Sequence, residues 1–368
     1  MAAAPPSAPA GLESLRAQID AIDRELLGLL NRRAAVARSI GELKRAEGSP
    51  AFRPEREAAV IDTLKRANQG PLPTAGVAPI WREIMSACRS LETPTRVAYL
   101  GPAGTFSELA ALGYFGSSIV KLPCANADEV FHATSAGAAD FGVVPVENSS
   151  EGVVTRSLDL FLTTPLTIVG ETSLYVRHNL LRKTDSLDGI AAVCAHPQAL
   201  AQCHAWLSHH LPNAERKPVS SNAEGARLAG TDPTAAGIAS ERAASEYGLF
   251  IVAPAIQDDA HNRTRFAILA HPSSHPKPAA SGHDCTSLVV SVANRPGAVH
   301  DMLQPLKSHG VSMTRFESRP ARSGQWEYYF YVDIDGHPDQ PNVARALAEL
   351  HDACAFFKLL GAYPVDAH

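Results

Sequence analysis

From Leu12 to about Ala46 the chain carries no proline and repeats apolar residues at helical spacing: Leu15, Ile19, Ile22, Leu26, Leu29, Leu30, Val36, Ala37 and Ile40. The pattern predicts one long helix. At 1.5 Å per residue it would run roughly 50 Å, longer than a compact domain of this size holds, so a second copy of the chain is expected along it. Winding the helix at about 100° per residue places Arg33 and Lys44 within roughly 20° of each other, in the middle of the apolar stripe, with Arg16 at its edge. Lone charges there are costly, so the cations either pair with Glu55, Glu57 or Glu92 or meet a small polyanion. Pro54, Glu55, Arg56 and Glu57 open a second helix, and residues 78–92 form a third. Ile84, Cys88 and Glu92 follow at four-residue steps on its inner face, and a carboxyl group set beside an anion favours its protonated form. Residues 11–93 therefore read as an all-α three-helix domain.

A chain of 368 residues holds two or three cores. Hydrophobic residues at 45% with no unbroken apolar run of membrane-spanning length imply no bilayer span. A formal charge of −5 without a dense Lys/Arg block argues against nucleic acid as a partner. The six cysteines form no C-x-x-C pair and the histidines no H-E-x-x-H, so neither a disulfide framework nor a bound metal is expected. Residues 1–10 lack a basic n-region and an apolar h-region and read as a disordered tail of a cytoplasmic protein.

After Pro94 short apolar runs alternate with helix-like segments, which predicts an α/β domain of mainly parallel strands over residues 96–271. In "GPAGTFSE" a glycine turn leads into a helix whose Thr105, Ser107 and free N–H groups suit a carboxylate, although a helix cap explains them equally well. Glu147, Asn148 and Ser149 cluster at a second strand-to-loop junction. Residues 272–284 are a linker. Residues 285–365 have the order βαββαβ, a small ferredoxin-like sandwich. The tripeptide TRF occurs twice, at Thr264–Phe266 and at Thr314–Phe316, in two different settings.

Three resemblances rest on these motifs. The pattern "LRAQIDAIDRELLGLLNRRAAVARSIGELK" followed by "FRPERE" resembles the all-helical chorismate mutases, which are intertwined dimers. By that resemblance Arg16 reaches across the dimer to a substrate carboxylate, Arg33 and Arg56 grip carboxylates, and Glu57 holds the substrate hydroxyl. Lys44 and a protonated Glu92 would donate to the ether oxygen, with Cys88 lining the site. "GPAGTFSE", "VPVENSSEG", "HPQALAQC" and "NRTRFAIL" together resemble prephenate dehydratase, a two-lobed α/β fold like that of periplasmic binding proteins. There Thr264 matches the catalytic threonine, with Glu147, Asn148 and Ser149 beside it. Thr105, Ser107, Thr172, Arg265 and Phe266 are the expected substrate contacts, Arg265 being about as consistent with a structural ion pair. His178 and His196 read as structural. "RPGAVHDML" and "TRFESRP" resemble an ACT regulatory domain, implying phenylalanine as effector between Gly297, Ala298, Val299 and a wall made by Glu317, Ser318, Arg319 and Pro320. The resemblances together imply conversion of chorismate to prephenate and then to phenylpyruvate, without metal or organic cofactor, by a homodimer or higher homo-oligomer. An arogenate-preferring dehydratase, or a mutase fused to a non-catalytic sensor, are the alternatives.

Overall fold

The computed structural model describes residues 11–47, 52–275, 277–320 and 328–365; the tail expected over residues 1–10 lies outside them. Helix α1 (Leu12–Glu47) forms where the proline-free stretch predicts it. Helix α2 (Pro54–Ala67) begins at its proline, whose missing N–H would be unused in a first turn. Helix α3 (Thr74–Ser90) starts a turn before the expected Ala78, because Pro79, which reads as a first-turn residue, lies inside it. Gly41 is the buried residue of α1, and a side chain there would collide with Glu92. The apolar stripe itself, from Leu15 to Ile40, is exposed in the single chain.

The α/β domain has two lobes. The first contains β1 (Arg96–Leu100), α4 (Phe106–Phe115), β2 (Val120–Cys124), α5 (Ala127–Ser135), β3 (Phe141–Asn148), the short β4 (Gly152–Val153), α6 (Thr155–Thr163) and β5 (Thr167–Tyr175). The second contains β6 (Asn179–Arg182), β7 (Ala192–Ala195), α7 (Pro197–Gln202), α8 (His204–His210), β8 (Glu215–Pro218), α9 (Asn222–Thr231), β9 (Ala235–Ala239), α10 (Glu241–Tyr247) and β10 (Phe250–Ala253). The chain then returns to the first lobe as β11 (Arg263–Ala270). The sheets run β2-β1-β3-β11-β5 and β10-β6-β9-β7-β8. They are mixed rather than mainly parallel: β11 is antiparallel to both β3 and β5, as a strand re-entering its lobe from the other side must be.

The C-terminal unit is β12 (Asp284–Ser291), α11 (Ala298–Ser308), β13 (Met313–Pro320), β14 (Tyr328–Asp335), α12 (Pro341–Ala353) and β15 (Phe356–Pro364), with sheet order β13-β14-β12-β15. One face of this sheet packs on its own helices through Leu288, Val290, Phe330 and Val332. The other face joins the first lobe's rear, where Tyr331, Leu360 and Tyr363 share a core with Val144, Leu158 and Ala267. Gly361 allows the closest approach, since a Cβ there would sit 2.0 Å from the Ile168 carbonyl oxygen. The helical domain docks on the first lobe through Phe52, which is buried among Tyr114, Phe115 and Phe141 at ring distances of 6.0, 5.1 and 5.3 Å. Burying such a ring is worth about 2–3 kcal/mol.

Candidate active sites

The helical domain holds a cavity of about 840 Å³ between the second half of α1 and the inner faces of α2 and α3. Arg33, Lys44, Arg56, Glu57, Cys88 and Glu92 all line it. Arg16, far up α1, does not. Lys44 Nζ lies 3.4 Å from Glu92 Oε2, so one of the pairings open in the sequence is made. Glu57 is paired too, with Arg89, a residue absent from the sequence reading. Arg89 is buried, donates to the Phe115 carbonyl at 2.5 Å and stacks over the Phe52 ring at 4.6 Å. Burial pushes the Glu57 carboxyl up, against the pull of Arg89, Arg82 and Arg33. The signal was there: Arg89 follows the buried Met85 by four residues, a cation in an apolar stripe like those of α1.

The cleft of the α/β domain is built on uncharged groups. Thr264 and Asn148 are directly opposed on β11 and β3. Backbone N–H groups of Ser150 and Glu151 donate to Asn148 Oδ1 at 3.0 and 3.2 Å, which fixes the amide so that its NH₂ points the other way. That NH₂ donates to Asn262 Oδ1 at 2.8 Å and to Thr264 Oγ1 at 2.9 Å. The Thr264 oxygen is therefore the acceptor of this bond, and among the described residues its own proton has no acceptor. Asn262 donates on to Gln202 Oε1 at 3.0 Å, and His178 Nε2 approaches the same oxygen at 2.9 Å. A carbonyl oxygen can only accept, so His178 carries its proton on Nε2, and its Nδ1 has no hydrogen-bond partner among the described residues. Burial holds this imidazole below its ordinary range, with the Gln202 bond opposing. Asn262, Gln202 and His178 were not singled out as site residues; Asn262 stands two residues from Thr264 and shares its strand face.

Other expected contacts lie elsewhere. Glu147 and Arg265 turn to the rear of the sheet, because neighbours of Asn148 and Thr264 on a pleated strand must point to the opposite face. There Arg265 meets Asp333 at 2.7 Å, Glu171 at 3.1 Å and Glu147 at 3.6 Å, so it is the ion-pair alternative that the structure contains. Burial pushes the Glu171 carboxyl up, the Arg265 charge opposing it. Phe266 shares the Thr264 face but is wholly buried in the core, with Thr172 opposite it on β5. Thr105 caps α4: its hydroxyl donates to the Leu100 carbonyl at 2.9 Å and accepts from Glu108 N–H at 3.3 Å. The anion at this helix start is the chain's own Glu108 carboxylate, which takes the Gly104 N–H and pairs with Lys121 and Arg242. Ser107 is buried beside it, and Ser149 Oγ accepts from the Arg263 N–H at 2.9 Å, tying the loop to the start of β11. His196 caps α7.

In the C-terminal domain Gly297, Ala298 and Val299 line a cavity of about 230 Å³ with Tyr328 and Phe330. Gly297 has φ 80°, a conformation that favours glycine. Glu317, Ser318, Arg319 and Pro320 do not line it in the single chain, since β14 stands there instead. Arg319 instead reaches α6, donating to Thr155 Oγ1 at 2.9 Å and pairing with Asp159 at 3.2 Å.

A cation-lined cavity, a cleft with a free hydroxyl donor and a ferredoxin-like sandwich define a multidomain enzyme with two separate sites and an appended ligand-binding domain. Comparison with known proteins gives the family. The chorismate mutase type II model matches residues 15–93, the prephenate dehydratase model residues 97–274 and the ACT domain model residues 286–352. A bifunctional chorismate mutase/prephenate dehydratase of Neisseria gonorrhoeae is 49% identical, over 95% of this chain and 96% of that one. One of Pseudomonas aeruginosa is 43% identical, over 96% and 97%. Among solved structures, a prephenate dehydratase from Arthrobacter aurescens in complex with L-Phe is 36% identical with a TM-score of 0.67, covering 73% of this chain and 89% of that one. A protein described as a novel type of quorum quenching acylase also has a TM-score of 0.67, at 30% identity over 73% of this chain and 98% of that one, so likeness in this fold alone does not fix the chemistry. The chain belongs to the family of bifunctional chorismate mutase/prephenate dehydratases. It combines an isomerase domain, a lyase domain and an ACT regulatory domain.

Proposed function

We propose that the chain turns chorismate into prephenate in the helical cavity and prephenate into phenylpyruvate in the α/β cleft, in cytoplasmic phenylalanine biosynthesis. In the first step Arg33 and Arg56 hold the carboxylates and Arg16 comes from a second copy, whose α1 covers the exposed stripe. The substrate must be held in a folded shape while negative charge grows on the breaking ether oxygen, so the fixed Lys44 cation stabilises the transition state more than the ground state. Glu92 and Cys88 complete that wall, and Glu57, held by Arg89, faces the substrate hydroxyl.

In the second step the ring carboxylate leaves as carbon dioxide, its bonding electrons enter the ring, and the ring C–O bond breaks. The departing hydroxide leaves as water with one added proton. Aromatisation drives the step, and the task left to the protein is to hydrogen-bond the leaving oxygen. The single observation that carries this reading is the Asn148 N–H donated to Thr264 Oγ1 at 2.9 Å, which leaves the threonine proton for that oxygen. Phenylalanine is the effector, bound at Gly297–Val299 and enclosed by Glu317–Pro320 of a second ACT domain. The test is phenylpyruvate formation from pure prephenate without added cofactor, with and without phenylalanine. Turnover suppressed by phenylalanine is expected; no turnover beside intact mutase activity would leave a mutase joined to a sensor.

A further inference from the structure

The two TRF tripeptides are unrelated in setting, yet their arginines meet. Arg265 on β11 is opposed to Glu147 on β3, directly behind the opposed pair Thr264 and Asn148. Arg315 on β13 is opposed to Asp333 on β14. The two rear pairs face each other across the domain boundary as a square of alternating charge. Arg315 Nε lies 3.0 Å from Glu147 Oε2 and Arg265 Nη2 lies 2.7 Å from Asp333 Oδ2, while the other two edges, Arg265–Glu147 and Arg315–Asp333, measure 3.6 and 3.9 Å. Ser287 Oγ donates to the free oxygen of Asp333 at 2.6 Å, which fixes that carboxylate in the sheet of the ACT domain.

Each strand pair is irregular beside its arginine. The register shifts between Arg265 and Phe266 on one side and between Met313 and Arg315 on the other. Such shifts can re-aim side chains. The square is an inefficient way to gain stability alone, because Arg265 Nε and Arg315 Nη2 are buried with no hydrogen-bond partner among the described residues. Apolar groups of like size would hold two sheets together as well or better. What charges add is register: they fix which residue of one sheet stands against which of the other.

We propose that Arg315 and Asp333 are positioning residues for the dehydratase step: by holding Glu147 and Arg265 from behind, the ACT domain sets the Asn148–Thr264 pair in front of them. Both front residues are backbone neighbours of the square, so a shift of one rear side chain moves a reacting hydroxyl. Strand β13 continues from Arg315 to Arg319, which holds α6, the helix that follows the Asn148 loop. The ACT domain thus grips the catalytic segment at both strands and at the helix.

The inference rests on the dehydratase reading, and wild-type turnover of prephenate in the same assay tests that reading separately. Both activities are measured on the full chain, so the mutase serves as an internal standard for folding. Arg315→Gln is expected to lower dehydratase kcat about tenfold with KM within about twofold and mutase kcat unchanged, and Arg315→Lys to recover most of the loss. Glu147→Gln, which removes the same ion pair from the other side, is expected to match Arg315→Gln, and the double variant to be no worse than either. Unchanged dehydratase kcat, or losses that multiply in the double variant, would overturn the proposal. If Arg315→Gln loses both activities together, the isosteric Glu147→Gln decides by the same split.

Discussion

The helical cavity gathers cations along one open wall and leaves the apolar stripe of α1 exposed beside them, whereas the α/β cleft sets an uncharged amide–hydroxyl chain inside a single copy. The contrast follows the charge each reaction must manage. A rearrangement that builds negative charge on an ether oxygen gains most from fixed positive charge. A dehydration needs one proton held at one angle, and a cation beside it would bind the departing hydroxide without orienting the donor. The same contrast explains the composition: two anionic substrates are served by a chain of net charge −5, because local placement decides, not the total.

The contrast breaks at its first side if the cations of the helical cavity are dispensable. Lys44→Met should lower mutase kcat/KM by about 10²–10³-fold while prephenate turnover is unchanged; steady-state rates on both substrates check it, and a parallel loss would mean the sites are not separate. On the other side, Asn148→Asp keeps the shape but replaces the donor to Thr264 with an acceptor. The threonine proton is then drawn to the carboxylate, and dehydratase kcat should fall about 10²-fold with the mutase intact. Arg89→Met sharpens the contrast from within: Glu57 loses its partner, and the mutase should slow about tenfold, with prephenate turnover as the control.

The smallest effect concerns pH. Burial holds the His178 and His275 imidazoles below their ordinary 6.5, the Gln202 bond and Asp140 opposing it in turn. Below about pH 6.5 the unfolded chain binds more protons at these positions than the folded one. The stability they carry is therefore complete above that pH and is lost as pH falls through the lowered folded values. His178→Asn, which keeps a donor for Gln202, should reduce the acid-side slope of denaturant midpoint against pH; an unaltered slope would assign the effect to His275 or elsewhere.

Much of this was legible in the sequence, for reasons that can be named. Helical period and absent proline set α1, Pro54 set the start of α2, and the βαββαβ order of the last domain follows from its alternation. Cations in an apolar stripe marked the cavity, and the same argument applied to α3 would have found Arg89. Glu147 and Arg265 stand behind the sheet for one cause. Glu147 beside Asn148 and Arg265 beside Thr264 look like clusters in sequence, but the pleat sends neighbours to opposite faces. Their partners Arg315 and Asp333 lie in another domain, and no local spacing announces a contact made across a domain boundary.

The most direct measurement is the rate of both reactions in Thr264→Val, a near-isosteric change that removes only the hydroxyl. Phenylpyruvate formation from prephenate is expected to fall by about 10³-fold or more, with chorismate rearrangement within about twofold of wild type. Dehydratase activity persisting in that variant would contradict the role of the proton that Asn148 leaves free.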